Sequence, residues 1–343
     1  MSARKRLVII DGKSVFYRGY YAMPGLSTKD GTPTGGVYGF AVMALEIIKR
    51  LKPNYVCVAW DKPKTNVRAR LALYPEYKAG RKSPPPDFYA QIPVLRELLD
   101  SLGWPFYEVD DFEADDIMAA FAMQAGKHDV ESYLITSDLD VLQLINSHTH
   151  IYTLKKGLTN IELFNEAYFK EKYGIDPHQH VDVKALKGDA SDNIPGVGGV
   201  GEKTALELIK KYKTLEGVYE HLDEIKPTLR AKLEKDKDMA FLSKKLVTLM
   251  TDVPLKLDLK KAELHDGINP TFVSMLRKLE FRSLLRQVES QLPASELAEA
   301  EAIDGSQKLS NATLIELEKQ NFKSGEPRIV ALDPEASHLW VSA

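Results

Sequence analysis

Nine acidic residues in this 343-residue chain fall at strand ends, helix starts or turns: Asp11, Asp61, Glu113, Asp115, Asp116, Asp138, Asp140, Asp189 and Asp192. The stretch "FEADDI" (112–117) crowds three of them into four positions, with Asp110 and Asp111 just ahead. Acids in a first helical turn offset the macrodipole; several converging acids instead hold a cation that neutralises them. All-oxygen donors, with one cysteine (Cys57) and no evident histidine cluster, favour Mg²⁺ or Mn²⁺ over zinc. So many carboxylates suffice for two ions ~3.5–4 Å apart, the arrangement that activates water and stabilises the leaving oxygen in phosphodiester cleavage. Each acid also has a local explanation. Asp189 and Asp192 suit turns, Asp115 suits dipole compensation, and Asp140 suits a cap on "VLQLI". The coincidence of all nine favours metal.

The elements that must position them read as an α/β fold. "RLVIID" (6–11), "YVCVAWD" (55–61) and "SYLITSD" (132–138) are short apolar runs of the kind buried in parallel sheets. Helical patterns separate them: "GGVYGFAVMALEIIKRLK", then "FYAQIPVLRELLDSLG" and "EADDIMAAFAMQAG". The expectation is a mostly parallel central sheet flanked by helices. Each run ends in aspartate, and ligands of open α/β sheets bind outside the carboxyl ends of the strands. From about 163 to 290 the chain reads as nearly all helical.

Composition is that of a globular protein, 44% apolar and 28% charged, with no run long enough to span a membrane. The basic N-terminus leads directly into patterned sequence and does not read as a signal peptide. One cysteine excludes an intramolecular disulfide and suits a reducing cytosol. The net charge of −3 hides segregation. Residues 62–82 carry Lys62, Lys64, Arg68, Arg70, Lys78, Arg81 and Lys82 against Glu76, seven cations and one acid. A polyanion gripped beside an acidic, cation-filled pocket produces such a pattern, though a solvated loop does too.

"NIPGVGGVGEKTALELIKKY" (193–212) is a glycine-punctuated turn running into a basic amphipathic helix. It breaks the phosphate-loop register and does not follow a strand. What remains is a hairpin between helices that grips a nucleic-acid backbone without reading bases. Residues 291–326 read as a linker with one short helix at 311–320, and 327–343 resume a strand-like pattern.

"LVIIDGKSVFYRGYYAMPGLSTKDGTPTGGVYGF", "YPEYKAGR", "EADD", "SDLDVLQL" and "GDASDNIPGVGGVGEKTA" resemble, in order, the signatures of the 5′-nuclease domain of bacterial DNA polymerase I, a 5′→3′ exonuclease and flap endonuclease. The resemblance runs from residue 6 to about 290. It implies an α/β nuclease core over 1–175 with a helical arch at about 62–90. It also implies a helical region over 176–290 carrying a helix–three-turn–helix at 193–212. Asp11, Asp61, Glu113, Asp115 and Asp116 match the acids around a first Mg²⁺ (Mn²⁺ can substitute), with Asp138 close to both ions. Asp140, Asp189 and Asp192 match the second-metal group. Tyr77, Lys78, Arg81 and Lys82 fall on the arch that passes the 5′ single strand. Lys78 and Arg68 match residues that contact the scissile phosphate, and Arg81 joins them as a catalytic candidate.

The hairpin residues Gly196, Gly198, Gly201, Lys203 and Thr204 match the duplex-binding element. Carbonyls of Leu186, Lys187, Pro195, Val197 and Val200 match a K⁺ site. There are departures: no Phe-Arg-His-Glu run precedes the arch, and Leu139 replaces the usual lysine of "SDLD". The tail after 326 resembles the beginning of a proofreading-exonuclease-like domain. The implied substrate is DNA with a 5′ flap, a nick or a 5′ end on duplex, cleaved in replication and repair. The protein is expected to be a monomer in the cytoplasm, at the nucleoid, without membrane attachment, fused to a polymerase or standing alone. A decayed DNA-binding clamp and a PIN-type ribonuclease are the other readings. The first would have shed acids, and the second lacks the hairpin and long arch.

Overall fold

The computed structural model describes residues 4–154, 161–264, 267–303, 329–332 and 339–342. It divides into two units, 1–291 and 292–343. In the first, β1 (Arg6–Asp11) leads into α1 (Gly12–Ala22) and α2 (Gly35–Leu51), then β2 (Tyr55–Ala59). Next come α3 (Arg68–Leu73), α4 (Pro86–Ala90), α5 (Ile92–Ser101), β3 (Phe106–Tyr107), α6 (Ala114–Gly126), β4 (Glu131–Thr136), β5 (Thr149–Leu154) and β6 (Ile161–Phe164). Helices follow: α7 (Glu166–Tyr173), α8 (His180–Lys187), α9 (Glu202–Tyr212), α10 (Leu215–Glu220), α11 (Pro227–Lys235), α12 (Lys237–Val247), α13 (Pro270–Lys278) and α14 (Arg282–Glu289).

The sheet order is β3-β2-β1-β4-β5-β6, parallel throughout except for the antiparallel β5–β6 pair. The expected mostly parallel sheet is therefore present, the chain is nearly all helical from Glu166 to Glu289 as read, and beyond the three expected strands the sheet gains β3, β5 and, at its edge, β6. That strand is short and only its last residue is buried, so it lacks the apolar run that marks its neighbours. β1 is central because Leu7 through Ile10 are fully buried, as a strand covered on both faces requires. Its register sets Asp11 opposite Ala59 of β2 and Ile10 opposite Ile135 of β4. The carboxyl ends of three adjacent strands thus share one edge. β2 and β4 stop two residues before Asp61 and Asp138, so those two aspartates sit in the loops beyond the strands rather than in them.

α1 and α2 cross at glycine. A Cβ added to Gly39 would lie 2.2 Å from Gly19 Cα, a contact no real side chain tolerates. Gly39→Ala is expected to cost about 1–3 kcal/mol through the forced separation of the helices; a urea midpoint unchanged from the parent would refute that.

The 62–90 segment holds α3 and α4 joined by twelve residues without helix, so the expected helical arch is helical only at its two ends. Its middle is pinned to the loop after α8: Lys78 N–H donates to Asp192 O (2.8 Å) and Asn193 Nδ2 to Glu76 O (2.7 Å).

In the second unit, residues 294–303 are helical within what reads as a linker. β7 (Ile329–Leu332) pairs antiparallel with β8 (Leu339–Ser342), which fits the strand-like reading of the tail. The helix expected at 311–320 lies outside the described residues. Among the described residues no helix is long and apolar enough to cross a membrane.

Candidate active site

A cleft of about 1070 Å³ opens at the carboxyl edge of the sheet. Asp11, Asp61, Glu113, Asp115 and Asp138 line it together with Lys13, Arg18, Lys78, Arg81 and Lys82. Five of the nine acids therefore share one wall with five cations.

Each acid is placed by a local device. Asp11 caps α1, its Oδ1 accepting from Ser14 N–H (3.0 Å) while Oδ2 accepts from Thr136 Oγ1 (2.7 Å). Asp61 accepts from Ala114 N–H (2.9 Å) and from Lys13 Nζ (3.2 Å), tying the β2 loop to the mouth of α6. Asp138 accepts the Asp140 N–H (2.9 Å). Burial, then the Asp61 charge, pushes the Asp11 carboxyl up to about 7. Burial also raises Asp115 well above the usual carboxylate range, and Asp116 and Glu113 add to the shift. Asp61 moves the other way: against its burial, Lys13 and Lys78 hold it down. Crowded acids of unequal pKa mark a site built for a cation or for proton transfer.

Asp115 and Asp116, neighbours in sequence, part company in space. Asp115 faces the cleft. Asp116 is fully buried, and its oxygens take Arg70 Nη1 (2.6 Å) and Nη2 (2.8 Å), Met250 N–H (2.8 Å) and Glu113 N–H (3.0 Å). A carboxylate so fully engaged with its own protein organises the helix mouth rather than the cleft wall.

The remaining acids also carry protein cations. Lys78 contacts Glu113 and lies 3.6 Å from Asp192, which Arg81 also contacts. The Tyr77 hydroxyl donates to Glu113 Oε2 at 2.8 Å. Lys184 bridges Asp140 and Asp189. Against partial burial, hydrogen bonds from Lys184 and Ser191 hold Asp189 down to about 2. Among the described residues no three His, Cys, Asp or Glu side chains are already gathered as a metal-binding group; the protein's own cations hold several of these carboxylates instead.

The cation-rich 62–82 segment is therefore not an open basic surface. Lys62 pairs with Asp110, Arg68 with Asp111, Arg70 with Glu113 and Asp116, Lys78 with Glu113, and Arg81 with Asp192. Arg68 turns to Asp111 with its side chain half exposed and does not line the cleft. Its neighbour Arg70 occupies the buried position that sequence reading missed. The signal was there: Val67, Leu71 and Tyr74 pack on one apolar cluster, and Arg70 lies three residues from Val67, on the same helical face. Lys184 gave no comparable signal: "HVDVKALK" mixes polar and apolar residues, and only the structure shows α8 buried from His180 to Leu186.

Of the hairpin residues, Gly201 caps α9, Lys203 is exposed and Thr204 half-buried in its first turn. Gly198 N–H donates to Asp236 Oδ2 (2.8 Å). Gly196 has φ 61°, and a Cβ there would meet Gly188 N at 2.3 Å, so both backbone shape and packing demand glycine. The Leu186 carbonyl accepts from Val197 N–H (2.8 Å) and the Val197 carbonyl from Val200 N–H (3.0 Å). The Pro195 carbonyl lies against Gly188, and Lys187 Nζ pairs with Glu202 at 3.0 Å.

Models of the 5′-3′ exonuclease family match consecutive parts of the chain: the N-terminal resolvase-like domain over residues 6–174 and the C-terminal SAM fold over 175–269. The chain is 40% identical over 289 residues to DNA polymerase I of Bacillus subtilis, a match covering 84% of this chain and 33% of that protein. It is also 40% identical over 284 residues to the thermostable DNA polymerase I of Thermus thermophilus, covering 82% and 33%. It thus spans about a third of the length of these relatives. The bacteriophage T5 D15 flap endonuclease, in a complex with DNA and metal ions, shares the fold with a TM-score of 0.61 at 22% identity, covering 72% of this chain and 90% of that one. The catalytic core of Rad2 with DNA substrate does so at 0.52 and 16%, covering 81% and 89%. With family matches running from the first strand through α12, the chain belongs to the 5′-3′ exonuclease family.

Proposed function

We propose that this chain hydrolyses DNA phosphodiester bonds at 5′ flaps, nicks and 5′ ends, as a metal-dependent 5′ nuclease forming part of a DNA polymerase I. The observation that carries the reading is the single cleft in which Asp11, Asp61, Glu113, Asp115 and Asp138 face Lys78, Arg81 and Lys82. The donor set fits a hard divalent cation: every candidate ligand is a carboxylate oxygen, and the Asp11 and Asp115 carboxyls are disfavoured as anions without one. Asp11, Asp61, Glu113, Asp115 and Asp138 would hold one Mg²⁺, and Asp140, Asp189 and Asp192, with Asp138 nearby, a second. Asp116 acts by fixing the helix mouth. Such ions, when bound, activate water and stabilise charge at the scissile phosphate. The chain's own part is to orient the strand. Lys78, Arg81 and Lys82 supply the charge complementary to its phosphates. The 193–212 hairpin grips the duplex backbone through Gly198, Gly201, Lys203 and Thr204, with K⁺ on the carbonyls of Leu186, Lys187, Pro195, Val197 and Val200; Gly196, buried and donating its N–H to Ser243 Oγ (3.0 Å), shapes the turn instead.

Cleavage of a 5′-flapped DNA in Mg²⁺ tests the reading, with single-stranded RNA as the comparison. Asp138→Ala is expected to abolish flap cleavage. Parental rates in that variant, or a preference for the RNA, would overturn the assignment.

A pH dependence follows from Asp11. Its carboxyl titrates near 7 in the folded protein against 3.8 in an unfolded chain. Between those values the folded state holds a proton that the unfolded state has lost. Its contribution to stability is therefore complete below about 4 and disappears as pH rises through about 7. In EDTA the parent should lose thermal stability from pH 5 to pH 7.5 more steeply than Asp11→Asn. Parallel curves would show that Asp11 does not titrate in this window.

A further inference from the structure

Lys184 is the cation that neither the composition of the cleft nor the arch accounts for. It projects from α8, is only 5% exposed, and bridges two carboxylates from different loops. Its Nζ contacts Asp140 Oδ1 and lies 2.5 Å from Asp189 Oδ2. Both partners are held in turn: Asp140 N–H donates to Asp138 Oδ1 (2.9 Å), and Asp189 Oδ1 accepts from Ser191 N–H (2.8 Å) and Ser191 Oγ (2.6 Å). The ammonium therefore sits between the carboxylates that the two-ion reading gives to the second metal. An ammonium and a divalent cation repel each other and need the same lone pairs, so both cannot occupy that gap.

We infer that Lys184 is an internal competitor for the second divalent cation: its ammonium occupies the place between Asp140 and Asp189, and an ion binds there only as the ammonium withdraws. This rests on the two-ion reading above and adds to it a residue that tunes it. The competition has two consequences. Without metal, Lys184 keeps two crowded carboxylates from repelling each other. With metal, the second ion binds more weakly than its ligands alone would dictate, because only the fraction of molecules with the ammonium displaced is competent.

The test is calorimetric titration of Mn²⁺ into the metal-stripped full chain, comparing the parent with Lys184→Met, Lys184→Arg and Asp189→Asn. Lys184→Met is expected to tighten the weaker ion by at least about tenfold, or to reveal a second ion that the parent lacks. Lys184→Arg, still cationic, should not reproduce the gain, and Asp189→Asn should abolish the weaker ion. The metal-free melting temperature of Lys184→Met should fall by roughly 5 °C and recover in saturating Mn²⁺. Lys184→Gln, neutral but still a hydrogen-bond donor, carries the same expectation where the methionine variant does not fold. If neutral variants leave the weaker ion unchanged or lose it while Asp189→Asn still abolishes it, the competition is refuted and the two-ion reading stands. If neither Asp189→Asn nor the neutral variants alter Mn²⁺ stoichiometry or affinity, the second ion itself falls, and this inference with it.

Discussion

Asp115→Asn is expected to reduce flap cleavage by about 10²–10³-fold or more while raising the melting temperature of the metal-free protein. The two signs together distinguish a functional carboxylate from a structural one. Asp115 lines the cleft, and burial beside Asp116 and Glu113 disfavours its charge. Replacing it with a neutral amide of the same shape removes that repulsion and keeps an oxygen to accept the Asp116 N–H (2.9 Å), losing only the smaller attraction to Arg70 and Lys78. That trade of stability for activity is expected where a site stores charge for a ligand. Cleavage assays in Mg²⁺ and thermal melts in EDTA measure the two effects. A variant that melts lower than the parent, or cleaves like it, would contradict the role assigned here.

Arg70→Met should do the opposite. The guanidinium is 4% exposed and engages the fully buried Asp116 with both Nη atoms, approaches Glu113 at 3.1 Å and donates from Nε to the Leu246 carbonyl at 3.1 Å. Removing one partner of a buried pair leaves the other charge without compensation, a loss of about 3–5 kcal/mol. The contacts of Arg70 join α3, the mouth of α6 and the last turn of α12. Loss of stability should therefore be accompanied by loss of cleavage, although Arg70 does not line the cleft. Denaturant melts of Arg70→Met and Arg68→Met separate the two arginines. Arg68, pairing with Asp111 across a half-exposed surface, should cost no more than about 1 kcal/mol. Equal losses would mean that the buried pair contributes no more than a surface one.

How much of this was readable in the sequence differs by element. The central strands announced themselves, since a parallel strand covered on both faces needs an apolar stretch, and Leu7–Ile10, Tyr55–Ala59 and Tyr133–Ile135 supply it in β1, β2 and β4. β3 and β6 did not. Two residues pair in β3, and β6 lies at the sheet's edge with most of its residues partly exposed, so neither shows a buried strand's composition. Asp11 at the end of β1 and the aspartates just beyond β2 and β4 were read as neighbours because adjacent parallel strands bring their carboxyl ends to one edge by geometry alone.

The partners of those aspartates were not readable. A run of cations at 62–82 looked like a grip for a polyanion, yet the fold spends most of it on acids at 110–116 and 192. Which of Asp115 and Asp116 faces the cleft depends on the rotation of α6 about its axis, and adjacent helical residues diverge by roughly 100°. Which of Arg68 and Arg70 is buried depends in the same way on α3. By itself, the sequence determined the three central strands of the sheet, the edge where chemistry gathers and the kind of residue found there, because these follow from local apolar patterns and strand topology. Tertiary structure alone decided which charge meets which, because an ion pair requires atoms within a few ångströms, and helix rotation and packing set that distance between residues dozens of positions apart.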